Sequence, residues 1–279
     1  GILSNIKLVL YTVIVAILLH LFVIEVYDVP TRSMASTIIQ GDYVVVNKFI
    51  YGISTPRYLP FTNIEIPRIK LPAFIDPRRG DIIVFNFPGK KDEVKNLHSV
   101  NFIKRCVAIA GDTIQIVSSN LYVNRRLFPF IKTVTIDTAQ SNSPDEDMFP
   151  GGVFYSKNNY GPIVVPKRGD KKFIDSKSIN QWKVFIEREG HQVSVGTDNS
   201  ILIDGKKVDG YTVKKNYYFM LGDNRDDSFD SRYWGFLSED DIIGKAVLIY
   251  WSWNQNQSSN SLLKKLSSIR WSRIGTLVR

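Results

Sequence analysis

A mostly β fold, with a membrane-spanning helix at its amino end, is the fold class that this sequence predicts. Three observations support the prediction. One long apolar run lies near the start of the chain. About 250 residues follow it, with no second run long enough to span a membrane. Short runs rich in β-branched and aromatic residues, bounded by Gly, Asp or Asn, recur through those residues.

The apolar run "IKLVLYTVIVAILLHLFVIEV", residues 6–26, has the length of one membrane span, since a helix of this length rises about 30 Å. It continues into "EVYDVP" instead of the small residues of a signal-peptide cleavage site, which favours a retained anchor over residues 1–26. Lys7 precedes the run, whereas Glu25 and Asp28 lie at its far end. The positive-inside rule therefore predicts that the body of the protein lies outside the cytoplasm.

The strand-like runs extend over the rest of the chain. They are "DYVVVNKFIYG", "DIIVFNF", "DTIQIV", "NLYVN", "HQVSV", "SILIDGKKV", "YYFMLGD" and "KAVLIYW". Asp204 and Gly205 have the residue types of a two-residue hairpin turn, and "NLYVNRRLF" resembles that hairpin. We predict a β-rich core formed by residues 27–114 and 212–279, with a smaller β lobe, residues 115–211, inserted between its two parts.

Composition narrows the choice of partners and cofactors. The chain carries 36 Lys and Arg against 27 Asp and Glu, a formal charge of +9, but no nucleic-acid-binding motif. The excess predicts either contact with anionic lipid head groups or ordinary solubility. Cys106 is the single cysteine, so it can form no disulfide within the chain and is predicted to be a small buried hydrophobe. We expect no metal, no cofactor and no nucleic acid.

A hydrolase built from these residues would need a base other than histidine. The chain has three histidines, and no serine lies in a GxSxG turn. A lysine can act as a base if desolvation lowers its pKa from roughly 10.4 towards 7–8. In "VNFIKRCVAIAGD", an extended strand would put Phe102, Lys104 and Cys106 on one face. Lys104 is either such a base or a lysine that keeps an edge strand soluble, and spacing alone favours the second.

Three stretches in order, "PTRSM", "FIKRCVAIAGD" and "GDNRDDSFDSRYWG", resemble the motifs of the bacterial type I signal peptidases, which are membrane-anchored serine proteases. The resemblance extends to "GDYVVVNKFIYG", "RRGDIIVF" and "RWSRIG", so it covers both ends of the chain. Residues 115–211 carry little that matches and correspond to the family's variable second β lobe. The last of the three motifs is the most specific.

The resemblance implies a role for each matching residue. Ser33 would be the nucleophile and Lys104 the neutral-amine general base, while the Ser33 N–H and the Thr31 hydroxyl would hold the oxyanion. Ser228 would orient the lysine through a hydrogen bond, and Asp230 and Arg232 would form a structural pair behind it. The candidates for contact with the substrate are five side chains near these groups: Tyr27, Val29, Met34, Phe102 and Ile103.

The implied activity is removal of N-terminal signal peptides from exported preproteins at the bacterial cytoplasmic membrane. The enzyme would be single-pass, with its catalytic domain on the periplasmic or extracytoplasmic side. Its partners would be signal peptides, membrane lipids and the secretion translocon. The substrate would add an extended strand beside the site, so that alternate side chains are read together.

Two departures from the family pattern lie beside the nucleophile. Many members have "PSGSMxPT" where this chain has "PTRSMAST", so Arg32 replaces a Gly and Ser36 a Pro. A Gly there would permit positive φ or close approach of the substrate, and we therefore expect Arg32 to alter activity or preference. The alternatives are a specialised relative with a narrow substrate set and a catalytically silent, membrane-tethered peptide-binding module.

Overall fold

The described residues of the computed structural model are predominantly β. They are residues 2–52, 71–94, 100–129, 143–176, 178–254 and 266–279, together with Thr55, Thr62 and Ile64. Three α-helices are described: α1 (Ile2–Phe22), α2 (Ile179–Arg188) and α3 (Ser231–Trp234). The strands, in chain order, are β1 (Ile24–Asp28), β2 (Asp42–Asn47), β3 (Ile82–Asn86), β4 (Asn101–Ala108), β5 (Thr113–Val117), β6 (Asn120–Val123), β7 (Arg126–Leu127), β8 (Tyr160–Val164), β9 (Lys171–Phe173), β10 (Val193–Val195), β11 (Ile201–Ile203), β12 (Lys206–Val208), β13 (Gly210–Thr212), β14 (Tyr217–Leu221), β15 (Leu237–Ser238) and β16 (Ile242–Ser252).

The amino-terminal helix is shorter at its carboxyl end than the predicted span. It ends at Phe22, and β1 begins at Ile24 and pairs antiparallel with β2. Lys48 fixes the end of the helix. Its Nζ donates to the Leu21 carbonyl oxygen at 2.8 Å and to the Glu25 carboxylate at 3.0 Å, and these bonds attach the helix end to the sheet. The helix therefore ends four residues before the predicted boundary of the anchor at residue 26. Within the described residues, no helix meets the length and apolarity needed to cross a membrane.

A seven-stranded antiparallel sheet organises the two predicted core segments. Its strand order is β1, β2, β16, β3, β4, β14, β15. Some neighbours in this order are far apart in sequence, as where β16 pairs with both β2 and β3. The sheet therefore brings the ends of the chain together. It also places β4 between β3 and β14, in the interior of the sheet.

Three smaller sheets lie between Thr113 and Thr212, the segment in which the sequence predicts a second lobe. They contain β5 to β8, β9 with β13, and β10 to β12. Asp204 and Gly205 both have positive φ between β11 and β12, which confirms the predicted hairpin turn. Asn124 and Arg125 adopt the same conformation between β6 and β7, as the similar sequence predicts.

The described part of the chain also holds a helix that the sequence analysis did not predict. α2 has Ile179, Phe185 and Ile186 buried, so its apolar residues recur at helical spacing and not at every second position. A single apolar cluster extends from Val107 and Phe219 of the large sheet to these side chains. The segment with the smaller sheets therefore shares a hydrophobic core with the large sheet.

Candidate active site

Ser33 lies in the serine loop, residues 29–41, which joins β1 to β2. Hydrogen bonds from Val29 N to Asp42 O (2.9 Å) and from Gly41 N to Val29 O (3.0 Å) close the loop at its base. Inside it, Ile38 N donates to Met34 O at 2.8 Å in one helical turn. The loop is thus fixed by its own backbone, and Ser33 is 6% exposed.

Lys104 reaches the serine loop from β4. It is 4% exposed, and because β4 is an interior strand, the interpretation of Lys104 as an edge-strand lysine is wrong. Its Nζ lies 2.6 Å from Ser33 Oγ and 3.2 Å from the Ile103 carbonyl oxygen. The Nζ also lies 5.2 Å from the centre of the Phe102 ring. A hydroxyl and an amine that are 71 residues apart in sequence are therefore in direct contact.

Burial controls the protonation of this amine. Removal from water lowers the pKa of Lys104 to about 8, against the opposing effect of the negative charges of Asp230 and Asp223. An ordinary lysine is almost wholly protonated at neutral pH, whereas an amine with this pKa is roughly one-tenth neutral at pH 7. The buried contact therefore provides what a lysine base requires, an unprotonated nitrogen beside a hydroxyl.

Thr31 and the backbone around Ser33 are the candidate oxyanion donors. Thr31 Oγ1 lies 3.4 Å from Ser33 Oγ, and Thr31 is exposed to solvent. A donor at this distance from the nucleophile is near the position that the oxygen of an attacked carbonyl would occupy. The predicted group of Ser33, Lys104 and Thr31 is thus brought together.

The motif loop, residues 222–235, makes hydrogen bonds to the serine loop. Asn224 N donates to Ser33 O at 3.0 Å, and Asn224 Nδ2 donates to Arg32 O at 3.2 Å. Asp223 accepts from Thr37 Oγ1 at 2.6 Å. The sequence analysis quoted this motif but gave neither Asp223 nor Asn224 a role, since nothing local to the motif shows that it contacts residues about 190 positions earlier.

Arg105 completes this support. Its Nε and Nη2 each lie 2.7 Å from an Asp223 carboxylate oxygen, and both side chains are 6% exposed. Removal of one partner of such a pair is strongly destabilising, because the other charge is then left buried without a counter-ion. Arg105 follows Lys104 directly, so this ion pair joins β4 to both loops.

The predicted pair of Asp230 and Arg232 is present and fully buried. Arg232 donates to Asp230 at 2.8 and 2.9 Å, and both side chains are 0% exposed. Burial would raise the pKa of Asp230, but the Arg232 charge and the Gly222 N–H outweigh it and lower that pKa. Because Asp230 also accepts from Gly222 N at 3.1 Å, the pair fixes the start of the motif loop.

Ser228 does not make the hydrogen bond to Lys104 that the resemblance implies. Its Oγ is buried and lies beside the Asp230 carboxylate, whose pKa it helps to lower. It packs against Gly222, where an added Cβ would lie 2.6 Å from the Ser33 carbonyl oxygen. Lys104 Nζ instead contacts Ser33 Oγ and Ile103 O. Gly222 is therefore required as a glycine, because its backbone passes between Ser228 and the nucleophile.

The candidate substrate-contacting residues divide into two groups. Val29, Met34 and Ile103 pack in one apolar cluster, in which Val29 and Met34 are at most 1% exposed. Phe102 belongs to a neighbouring cluster, and Tyr27 lies on β1 at the outer edge of the large sheet. That these side chains contact a substrate stays a prediction.

Arg32 does not need the conformation that would favour glycine. The non-glycine residues with positive φ in the described chain do not include it, and its side chain is exposed. Of the two reasons for a glycine, positive φ therefore does not apply here. That Arg32 alters activity or preference through the approach of the substrate stays a prediction. Ser36 Oγ is buried and lacks a hydrogen-bond partner among the described residues.

Known proteins resemble this chain over most of its length. The family described as "Signal peptidase, peptidase S26" matches residues 2–251. A signal peptidase I of Buchnera aphidicola subsp. Schizaphis graminum is 31% identical, over 95% of this chain and 78% of its own. One of Aquifex aeolicus is 30% identical over 87% and 82%, and one of Pseudomonas aeruginosa 28% identical over 88% and 71%.

A crystal structure of a signal peptidase I from Enterococcus faecalis covers 62% of this chain and 98% of its own, with 19% identity and a TM-score of 0.27. That superposition is too weak to support a conclusion about the fold. The family match extends over most of the chain and includes the serine loop, Lys104 and the motif loop. The chain belongs to the signal peptidase family, peptidase S26.

Proposed function

We propose that this protein removes N-terminal signal peptides from exported preproteins, with Ser33 as nucleophile and Lys104 as general base. Removal of signal peptides by a serine peptidase is the activity of the family to which the chain belongs. The observation that carries the assignment of residues is the buried contact of 2.6 Å between Ser33 Oγ and Lys104 Nζ.

The chemistry follows from this contact. Once Lys104 is neutral, the Ser33 hydroxyl donates to Nζ, and its proton passes to the amine as Oγ attacks the scissile carbonyl carbon. The carbonyl oxygen becomes an oxyanion, which accepts from the Ser33 N–H and the Thr31 hydroxyl. The ammonium then returns the proton to the departing amine. A water molecule, deprotonated by the same lysine, hydrolyses the ester and regenerates Ser33.

The substrate would bind as an added strand. β1 lies at one end of the large sheet, and no strand of the described residues pairs with its outer edge, which suits the addition of an extended peptide. Tyr27 and Val29 lie two residues apart at the end of this strand, close to Ser33 in sequence. A peptide paired there would present alternate side chains to Val29, Met34, Phe102 and Ile103.

The decisive experiment is cleavage of a purified preprotein in detergent, with the product amino terminus determined by mass spectrometry. Ser33→Ala and Lys104→Met should abolish cleavage. Ser36→Ala is the matched control, because it removes a hydroxyl of the same loop that lacks a hydrogen-bond partner there, and it should cleave normally. Cleavage by Ser33→Ala or Lys104→Met at the wild-type rate would refute the assignment.

Thr31 allows a test of the oxyanion site alone. Thr31→Val keeps the shape and removes the hydroxyl, whereas Thr31→Ser keeps the hydroxyl. Loss of one oxyanion donor costs about 2.7–4 kcal/mol, so kcat should fall about 100-fold or more in the first variant and little in the second. Equal activity of the two variants would exclude a role for the hydroxyl.

Membrane attachment through α1 is a further part of the proposal. Its support is the exposure of large apolar side chains around the whole helix, from Leu8 and Tyr11 to Leu18 and Leu19. A helix that is apolar all round is normally covered by other protein or by lipid. A single-pass arrangement would put the catalytic residues on the extracytoplasmic face of the bacterial cytoplasmic membrane, beside lipids and within reach of the secretion translocon.

Flotation with lipid vesicles after an alkaline wash tests this attachment. The full chain should float, and the double variant Leu10→Arg and Ile14→Arg should not, because each arginine costs about 2.5–3.5 kcal/mol at the centre of a span. Ser4→Arg, at the polar start of the helix, is the control and should float. Release of the unaltered chain by the wash would contradict the proposal.

We also retain the division into a catalytic core, residues 27–114 and 212–279, and an inserted lobe, residues 115–211. The separate pairing of β5 to β13 in three small sheets supports it. The continuous apolar cluster between the two parts implies that they unfold together. A single thermal transition is therefore expected, with the same midpoint when it is monitored by tryptophan fluorescence and by circular dichroism.

A further inference from the structure

A cavity rich in arginine lies behind the two loops that hold Ser33. Its volume is about 680 Å³, within the range of small-molecule sites, and neither Ser33 nor Lys104 is among its lining residues. Four arginines and one aspartate line one part of it: Arg79, Arg105, Arg126, Arg225 and Asp223. The cavity is therefore distinct from the reacting atoms and has an excess of positive charge.

The arginines differ in how many hydrogen-bond donors they can offer. Arg105 has most of its donors engaged, because Nε and Nη2 donate to Asp223 and Nη1 donates to Gly80 O at 2.7 Å. Arg79 donates to Asp112 through Nε and Nη2, at 2.6 and 2.5 Å, which leaves further N–H groups of its five. Arg126 is exposed on β7. Arg79 and Arg126 can thus turn donors towards a ligand, while the charge of Arg105 is compensated by Asp223.

Arg225 lies among groups of both charges: Arg232 and Arg105 disfavour its protonated form, and Asp230 and Asp223 favour it. Burial and the neighbouring charge of Arg232 lower the pKa of the Arg225 guanidinium to about 10. Its Nε donates to the Gly222 carbonyl oxygen at 2.9 Å. An anion placed beside it would raise that pKa, because opposite charge stabilises the protonated guanidinium.

The other wall of the cavity is apolar. It consists of Val123, Leu127, Phe128 and Pro129, of which Leu127 is 60% exposed. An inorganic anion would fill only a small part of the volume and would leave this wall in water. The ligand that fits both walls carries a compact, doubly charged anionic group and an apolar substituent.

We propose that this cavity binds a phosphate monoester with an apolar substituent. Guanidinium groups match phosphate oxygens with paired N–H donors, so several arginines around one cavity favour phosphate over a singly charged carboxylate. The substituent covers Leu127 and Phe128. Because Arg105 and Asp223 form part of the cavity wall and also brace the serine loop, the ligand lies one residue along β4 from the base.

Titration calorimetry of the full chain in detergent, at fixed ionic strength, tests the proposal independently of peptidase activity. The probes are phenyl phosphate as a water-soluble ester, dihexanoyl phosphatidic acid as a lipid ester, and inorganic phosphate. We expect saturable binding of at least one ester with Kd of about 1 mM or tighter, and weaker binding of inorganic phosphate. If only the lipid ester binds, the source is a lipid head group, and if phenyl phosphate binds, a soluble ester suffices.

Two substitutions on β7 and one matched control locate the site. Arg126→Gln should weaken ester binding about tenfold, the value of one charge-assisted hydrogen bond. Arg125→Gln removes the same charge one residue away, outside the cavity lining, and should change the Kd less than twofold. Leu127→Ala should weaken binding of the ester but not of inorganic phosphate.

Three results would overturn the proposal. Failure of both esters to bind saturably would show that the cavity is not such a site. Equal weakening by Arg125→Gln and Arg126→Gln would show that the anion responds only to the general charge of the surface. Equal effects of Leu127→Ala on ester and inorganic phosphate would remove the apolar wall from the ligand's contacts.

Discussion

Lys104→Met should inactivate the protein and also change how its stability depends on pH. Met has nearly the shape of Lys and no charge, so it fits the buried position without the cost of burying an ammonium. The native pKa of about 8 lies below the ordinary value of 10.5, so the native state disfavours the protonated lysine. This penalty is present in full below pH 8 and is relieved as the pH rises from 8 to 10.5.

The magnitude follows from the two pKa values. At about 1.36 kcal/mol for each pKa unit, the difference between 10.5 and about 8 corresponds to about 3 kcal/mol of lost stability at pH 7. At pH 10 the native amine is neutral and the unfolded amine only partly protonated, which leaves a penalty of about 1 kcal/mol. Relative to Lys104→Met, the wild type should therefore gain about 2 kcal/mol between pH 7 and pH 10.

Urea unfolding of both proteins at the two pH values, followed by tryptophan fluorescence, measures this change. Groups other than Lys104 titrate in both proteins and cancel in the difference. Lys206→Met removes an exposed lysine of β12 and serves as the control, for which no such trend is expected. A stability difference between wild type and Lys104→Met that stays constant from pH 7 to pH 10 would refute the inference that a strongly perturbed lysine lies beside Ser33.

Three further substitutions test the support of the site. Gly222→Ala should abolish preprotein cleavage, because the added Cβ would lie 2.6 Å from the Ser33 carbonyl oxygen. Gly151→Ala, which has open space around the added Cβ, should cleave normally. Equal cleavage rates of the two variants would contradict this packing. Asp230→Leu should lower the free energy of unfolding by about 3–5 kcal/mol in thermal unfolding, since it leaves the buried charge of Arg232 without a partner. A loss below about 1 kcal/mol would show that the pair is not needed for stability. Asn224→Ala should lower kcat/KM about five- to tenfold through the lost bond to the serine loop, and an unchanged value would exclude that role.

The candidate residues and their structural positions were predictable to different extents. The three motifs identified Ser33, Lys104 and the Asp230 and Arg232 pair, which the structure brings together or pairs as expected. Spacing alone favoured an edge-strand role for Lys104, and this was wrong because the position of β4 within the sheet depends on pairing with β3 and β14. The role of Asn224 was missed for the same reason, since its partners lie in another loop.

Features that depend on neighbouring residues are predictable from the order of residue types. Residue types alone specify the turn at Asp204 and Gly205, the short β-rich runs and the burial of Cys106. Features that depend on distant contacts are known only once the chain is folded. These are the end of α1 at Phe22, the helix α2 among small sheets, and the removal of Lys104 from water beside Ser33. The physical reason is that the burial of a side chain, and with it the pKa of an amine, is set by residues that the fold brings from elsewhere in the chain.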